Sequence, residues 1–296
     1  MEIPMKFTKM HGIGNDYVYV NCFNQTVKNA SKLAQKISDR HTGVGSDGLI
    51  LICPSKKADI RMRVFNADGS EAEMCGNGIR CVAKYAYEHK LAKAGKAFSL
   101  PGRSPFPASL KIETGNGILT VGLSTDKNNK VQNVCVNMGK PVLDPKKIPV
   151  IFDGDKVIEQ PIEVLGSRLL MTCVSMGNPH AVFFCDNIAS IELEKLGPAI
   201  ENHKIFSNRV NVHFVQVNSK SDFAMRTWER GSGITQACGT GACACCVAAV
   251  LANRCENLCT AHLPGGDLEL NWFKDDNCVY MTGPAVEVFE GNWPEK

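Results

Sequence analysis

The 296-residue sequence has no apolar run long enough to cross a bilayer. Its first residues, MEIPMKFTKMHGIGNDY, lack the apolar core and small-residue cleavage site of a secretory signal. The cytosol is therefore the expected compartment, or an organelle lumen if a transit peptide has been removed. Charge of one sign is also scarce. The formal balance is +3 with no dense basic run, so there is no electrostatic footprint for nucleic acid or an anionic membrane. Cofactor motifs are thin. His11-Gly12-Ile13-Gly14 and Thr42-Gly43-Val44-Gly45 are isolated glycine pairs, too short for a nucleotide loop. No second Cys-x-x-Cys or His pair completes the ligand-like Cys243-x-x-Cys246, and that pair lies inside a helical pattern. No metal and no cofactor are expected.

Cysteine, by contrast, is abundant, with 14 in the chain. A chain of this length can bury a core without disulfide staples, and in a reducing compartment most thiols are small buried hydrophobes. Cys22, Cys53, Cys135, Cys173, Cys185 and Cys278 sit in apolar or strand-like settings and are read that way, as is the group Cys243, Cys245 and Cys246. Two cysteines stand apart. Cys75-Gly76-Asn77-Gly78 and Cys238-Gly239-Thr240-Gly241 share one pattern, and each opens a helical stretch.

The two motifs lie 163 positions apart, and the same offset aligns other pairs. Met62-Arg63-x-Phe65 falls on Met225-Arg226-x-Trp228, and Gly14-Asn15 on Gly177-Asn178. Leu100-Pro101-Gly102 falls on Leu263-Pro264-Gly265, which extends one register to residue 265. Two domains of the same fold, related by a pseudo-twofold, explain this series. The expected fold class is α+β, each domain a mostly antiparallel sheet or barrel around a central helix, with the active site in the cleft between them. The expected domains are 1–130, completed by 284–296, and 131–283. Ser124–Lys130 is a polar linker or hairpin tip. Strands are expected at 16–20, 61–65, 181–184, 211–217 and 223–228, and helices at 31–39, 78–89, 191–202 and 241–253.

At a helix N-terminus, free N–H groups and the positive end of the helix dipole favour a thiolate and can cradle a carboxylate. The glycine after each cysteine lets a ligand approach the backbone. Two such thiols suit racemisation, in which one thiolate removes the α-proton and the other thiol returns one on the opposite face. Helix N-termini at the substrate carboxylate would stabilise the developing charge.

These residues resemble the diaminopimelate epimerase family. The matching stretches are HGIGNDY at 11–17, DRHTGVGSDGLI at 39–50, FNADGSEAEMCGNGIRC at 65–81 and SMGNPH at 175–180. They continue with RVNVHF at 209–214, WERGSGITQACGTGA at 228–242, LPGG at 263–266 and YMTGPAVEVFEG at 280–291. The paired cysteine motifs are shared with a wider superfamily that includes proline racemases. The resemblance implies a pyridoxal-phosphate-independent isomerase acting between LL- and meso-diaminopimelate, in lysine and peptidoglycan precursor synthesis. It implies Cys75 and Cys238 as the acid/base pair. Asn15, Asn66, Gly76, Asn77, Asn178, Asn211, Glu229, Arg230, Gly239 and Thr240 would bind the substrate, and His180 and Glu229 would help tune the thiols. A homodimer is also implied. One departure is Gly48, where some members carry Gln. The alternatives are a proline or hydroxyproline racemase-type isomerase, and a cysteine-rich metal or redox protein.

Overall fold

The computed structural model describes residues 4–100 and 104–294. The chain divides into two compact units, Met1–Val136 with Gly283–Lys296, and Asn137–Thr282.

In the first unit the elements run β1 (Met5–Gly12), β2 (Asn15–Asn21), α1 (Ala30–Ser38), β3 (Gly48–Cys53), β4 (Ile60–Asn66), β5 (Glu71–Ala72), α2 (Gly76–Glu88), β6 (Ala108–Thr114), β7 (Gly117–Thr125) and β8 (Val131–Asn137). The chain's last strand, Val286–Trp293, pairs with β1. Strand order is therefore the last strand, β1, β2, β3, β4, β6, β7, β8, with β5 also on β4. Among the described residues, only β2–β3 and β4–β6 are parallel in this unit. A parallel pair needs a crossover, and α1 and α2 lie in these two connections. Residues 124–130 are the β7–β8 hairpin, so β8 packs with the first unit and the division falls after Val136 rather than at 130.

The second unit repeats this order with β9 (Gln160–Val164), β10 (Ser167–Ser175), β11 (Pro179–Phe184), α3 (Leu193–Glu201), β12 (Asn211–Ser219), β13 (Asp222–Glu229), β14 (Gly233–Thr235), α4 (Gly239–Leu251), β15 (Leu258–Leu263), β16 (Gly266–Trp272) and β17 (Val279–Gly283). Its parallel pairs are β11–β12 and β13–β15. The strand that closes the first unit is β18. The expected strands and helices are all present, with ends shifted by no more than two residues.

The offset of 163 carries α2 onto α4 residue for residue. Beyond these helices the register fails. Ile60 and Ile112 pair in the first unit and Phe223 and Ala261 in the second, spans of 52 and 38 positions. Leu263-Pro264-Gly265 therefore turns between β15 and β16, and its counterpart is the β6–β7 turn at Gly115 and Asn116. Its match to Leu100-Pro101-Gly102 is coincidental, and residues 101–103 lie outside the described residues.

Both central helices are enclosed. In α4 the residues Ala242–Ala249 are buried on every side, which explains a helix with almost no polar face. Cys243, Cys245 and Cys246 are fully buried there and pack as small hydrophobes. In α2 the same enclosure covers Ile79, Cys81, Val82, Ala83 and Ala86. Arg80 is also fully buried, donating to Gly76 O at 3.2 Å and to Pro284 O at 3.2 Å, so it ties the helix to the entry of β18.

Candidate active site

Each cysteine motif follows a short strand and starts a central helix. Cys75 is the N-cap of α2 with an extended backbone, and its sulfur accepts from Gly78 N–H at 3.3 Å. Cys238 occupies the same position before α4. The second glycine of each motif is a steric requirement. A Cβ on Gly78 would stand 2.6 Å from Ile50 Cδ1, and one on Gly241 would stand 2.3 Å from His213 Cε1 and 3.0 Å from Cys238 Sγ. A side chain there would push the helix away from the strands that position the thiol.

In the first unit Asn15 reaches Cys75. Its Oδ1 lies 3.6 Å from Cys75 Sγ and accepts from the thiol. The same amide donates through Nδ2 to Asp47 Oδ2 at 2.7 Å. Asp47 also accepts from Asp16 N at 3.0 Å and pairs with Arg40 at 2.9 Å. Arg40 and Lys9 both pair with Asp16. Burial works to raise the Asp16 pKa, but hydrogen bonds from Arg40 and Lys9 outweigh it and hold the carboxyl below its ordinary value. Asp47 moves the other way, raised by burial and then by the Asp16 charge. Asn77 is buried in the first turn of α2. Asn66 keeps a local contact, donating to Ser70 Oγ at 3.0 Å across a turn. Gly48 is opposite Asn66 on β3. A Cβ at 48 would fall 2.1 Å from Phe65 O, so a bare backbone is what lets β3 and β4 pack as they do here.

The second unit gathers more of the expected residues. Thr240 Oγ1 lies 3.8 Å from Cys238 Sγ, and Asn178 Nδ2 lies 3.4 Å from Thr240 Oγ1. Asn178 Oδ1 meets His180 Nε2 at 2.8 Å. His180 Nδ1 meets His213 Nε2 at 2.8 Å, and His213 Nδ1 meets Thr227 Oγ1 at 3.0 Å. Both rings are fully buried. Burial, then the neighbouring His213 and Arg230, push the His180 pKa well down, and burial lowers His213 to about 3, so both are neutral.

The environment of Cys238 differs from the sequence expectation. A helix N-terminus was expected to lower its pKa. Instead burial raises it well above the ordinary thiol value, the adjacent Glu229 carboxylate adds to that, and the Gly241 N–H and Thr240 hydroxyl only partly oppose it. Desolvation at a site that is 4% exposed outweighs the helix terminus. Glu229 thus lies beside the thiol, where it accepts from Thr235 Oγ1 at 2.6 Å. Arg230 turns elsewhere, its guanidinium donating to Asn208 O at 2.8 Å. Asn211 holds the strand ends together, donating to Pro179 O at 2.8 Å and accepting from Arg230 N at 2.9 Å.

Three supporting residues carried no sequence signal of their own: Asp47, His213 and Glu201. Glu201, at the end of α3, accepts from Trp228 Nε1 at 2.6 Å, Gly231 N at 3.0 Å and Arg209 Nη1 at 3.0 Å. It fastens the end of β13, which carries Glu229, and the turn that carries Arg230. His213 and Asp47 lie inside stretches that match the family, but hydrogen-bond partners distant in sequence give them their roles.

A family model for diaminopimelate epimerase matches residues 7–143 and 172–288. The chain belongs to the diaminopimelate epimerase family. It is 51% identical over 294 residues to the diaminopimelate epimerase of Agathobacter rectalis, covering 97% of this chain and 98% of that one. It is 50% identical over 287 residues to that of Acetivibrio thermocellus, with the same coverage. The diaminopimelate epimerase of Methanococcus maripaludis is 47% identical over 287 residues, covering 97% of this chain and 99% of its own. Among solved structures, a Bacillus anthracis phenazine biosynthesis protein of the PhzF family matches with TM-score 0.70 at 18% identity, over 100% of both chains. A probable proline racemase from Agrobacterium radiobacter matches with TM-score 0.66 at 12% identity, over 97% of this chain and 92% of that one. At these identities the two structures share the fold. Among the described residues no group of three His, Cys, Asp or Glu side chains is arranged to hold a metal, and no helix is long and apolar enough to cross a membrane.

Proposed function

We propose that this epimerase interconverts LL- and meso-2,6-diaminopimelate by proton transfer at one α-carbon, with Cys75 and Cys238 as the base and acid. The observation that carries this is the pair of thiols capping equivalent helices, each within a stretch that the diaminopimelate epimerase family model matches. One sulfur, as thiolate, takes the α-proton. The resulting carbanion spreads its charge onto the carboxylate, and N–H groups of a helix N-terminus stabilise it. The other sulfur, as thiol, delivers a proton to the opposite face. The chemistry uses no electron sink, so no cofactor enters it.

Burial of Cys238 fits this role. A thiolate stripped of water is a stronger base, and its raised pKa brings it nearer to that of the α-proton it must take. Gly76, Asn77, Gly239 and Thr240 would meet the reacting carboxylate. Asn15, Asn66, Asn178, Asn211, Glu229 and Arg230 would bind the remainder, a second amino-acid head that needs both an acceptor for ammonium and a donor for carboxylate. His180 and Glu229 would tune the thiols. A cytoplasmic homodimer completes the proposal. Val286, Val288 and Phe289 leave an exposed apolar stretch on β18.

The test is proton NMR of LL-diaminopimelate with reduced protein in deuterated buffer, with chelator and no added cofactor. Deuterium at the α-position together with meso product is expected. Folded, reduced protein that exchanges proline or hydroxyproline and leaves diaminopimelate untouched would overturn the substrate assignment.

A further inference from the structure

The line of side chains from Thr227 to Cys238 has a direction. Asn178 Oδ1 has no proton to give, so the proton between it and His180 belongs to His180 Nε2. A neutral ring then has a bare Nδ1, which must accept, so His213 Nε2 carries the next proton. His213 Nδ1 is bare in turn, and the Thr227 hydroxyl donates to it. At the other end Asn178 Nδ2 donates to Thr240 Oγ1, which leaves the Thr240 hydrogen for Cys238 Sγ. Every donor points the same way, and the last one points at sulfur.

We propose that His213, held by Thr227, is a positioning residue for Cys238. It fixes His180 as the Nε2–H tautomer, which fixes the Asn178 amide and turns the Thr240 hydroxyl onto the thiolate. His213 touches no reacting atom. It is wedged under the first turn of α4, where a Cβ on Gly241 would stand 2.9 Å from its Nε2, so its ring has one seat. The charged groups facing this line are Glu229 beside Cys238 and Arg230 near His180. Neither stands between the two rings. The opposite polarity would reverse each bond, flip the Asn178 amide and make Thr240 an acceptor. The thiolate would then lose the Thr240 donor in the half-reaction where Cys238 is the base. The catalytic part of this inference rests on the proposed epimerase reaction. The tautomer and the sulfur titration do not.

Nitrogen-15 spectra of imidazole-labelled, unliganded full-length protein read the tautomers directly. Both His180 and His213 are expected as neutral Nε2–H rings near neutral pH. In Thr227→Val the donor to His213 Nδ1 is gone, and a mixture of tautomers is expected at both rings. In carbon-13 spectra of Cys-labelled protein, the Cys238 Cβ titration should move to higher pH in Thr227→Val and in His213→Phe, with Cys75 unmoved. Turnover should fall about tenfold with KM little changed, and Thr227→Ser should restore all three readouts. An Nδ1–H His180 in the wild type would overturn the proposal, as would an unchanged Cys238 titration in a folded variant. If His213→Phe does not fold, the Thr227 pair decides. Absent turnover of diaminopimelate, with the expected spectra intact, would count against the substrate and leave the positioning line standing.

Discussion

Asn15 donates to Asp47 Oδ2 at 2.7 Å and so presents its carbonyl oxygen, rather than its NH₂, to Cys75 at 3.6 Å. An ionised carboxylate can only accept, so Asp47 decides which end of the amide the thiol meets. Asp47→Ala frees the amide to rotate. Turnover should fall about tenfold, with a stability loss of about 1 kcal/mol for the lost hydrogen bond. Steady-state kinetics and urea midpoints check this; unchanged kcat would show that Asn15 is held by other means.

The two thiols should separate chemistry from capping. Cys75→Ser keeps an N-cap acceptor for Gly78 N–H and should keep near-normal stability. It replaces the acid/base group with a far weaker acid, so turnover should drop by about 10²–10⁴-fold. Cys238→Ala should lose turnover to a similar extent. Near-normal turnover in either variant would remove that cysteine from the reaction.

Glu201 joins α3 to the strand end before Arg230 through Trp228 Nε1 and Gly231 N, and it pairs with Arg209. Glu201→Ala leaves a half-buried indole N–H without its acceptor and should cost about 1 kcal/mol. Because that strand end and the turn after it carry Glu229 and Arg230, KM should rise together with the fall in the unfolding midpoint. A destabilised variant with unchanged KM would show that this segment holds its shape without this carboxylate.

Acid should unfold the second unit through its histidine pair. His213 falls from 6.5 to about 3 in the folded state, so the unfolded chain binds a proton that the folded one refuses. The resulting stability is complete above pH 6.5 and is lost progressively as pH falls toward about 3. His180 is lowered in the same direction by the same burial. Urea midpoints across that range should fall more steeply in the wild type than in His213→Phe. Parallel curves would mean that other groups govern the acid limb.

Away from the central helices, Cys53 should be the first thiol alkylated at neutral pH. A hydrogen bond from Cys22, with Arg63 and Arg61 nearby, lowers it to about 7 against the opposing effect of burial, and it is only partly buried. Cys246 and Cys259 lie 3.5 Å apart but are buried, and Cys259 is pushed strongly upward, so both should resist. Peptide mapping after brief iodoacetamide treatment gives the order. Earlier modification of Cys259 would contradict this difference in burial.

Local pattern alone determined much of this protein. The repeated Cys-Gly-x-Gly fixed two helix starts, because a helix needs an N-cap and the crowding at Gly78 and Gly241 admits no side chain. Alternating apolar residues gave the strands that flank them, and the stretch from Gly14 to Trp228 gave a register that holds until the helices end. Past α2 and α4 only tertiary pairing could decide, since the connections differ in length and the Leu-Pro-Gly match joined unrelated turns. The same limit applies to the thiols. A helix N-terminus is visible in sequence, but the burial that raises Cys238 is not. His213, Asp47 and Glu201 take their roles from partners 14 to 33 positions away. A sequence motif records which groups are near in the chain; desolvation and hydrogen-bond direction depend on which groups are near in space.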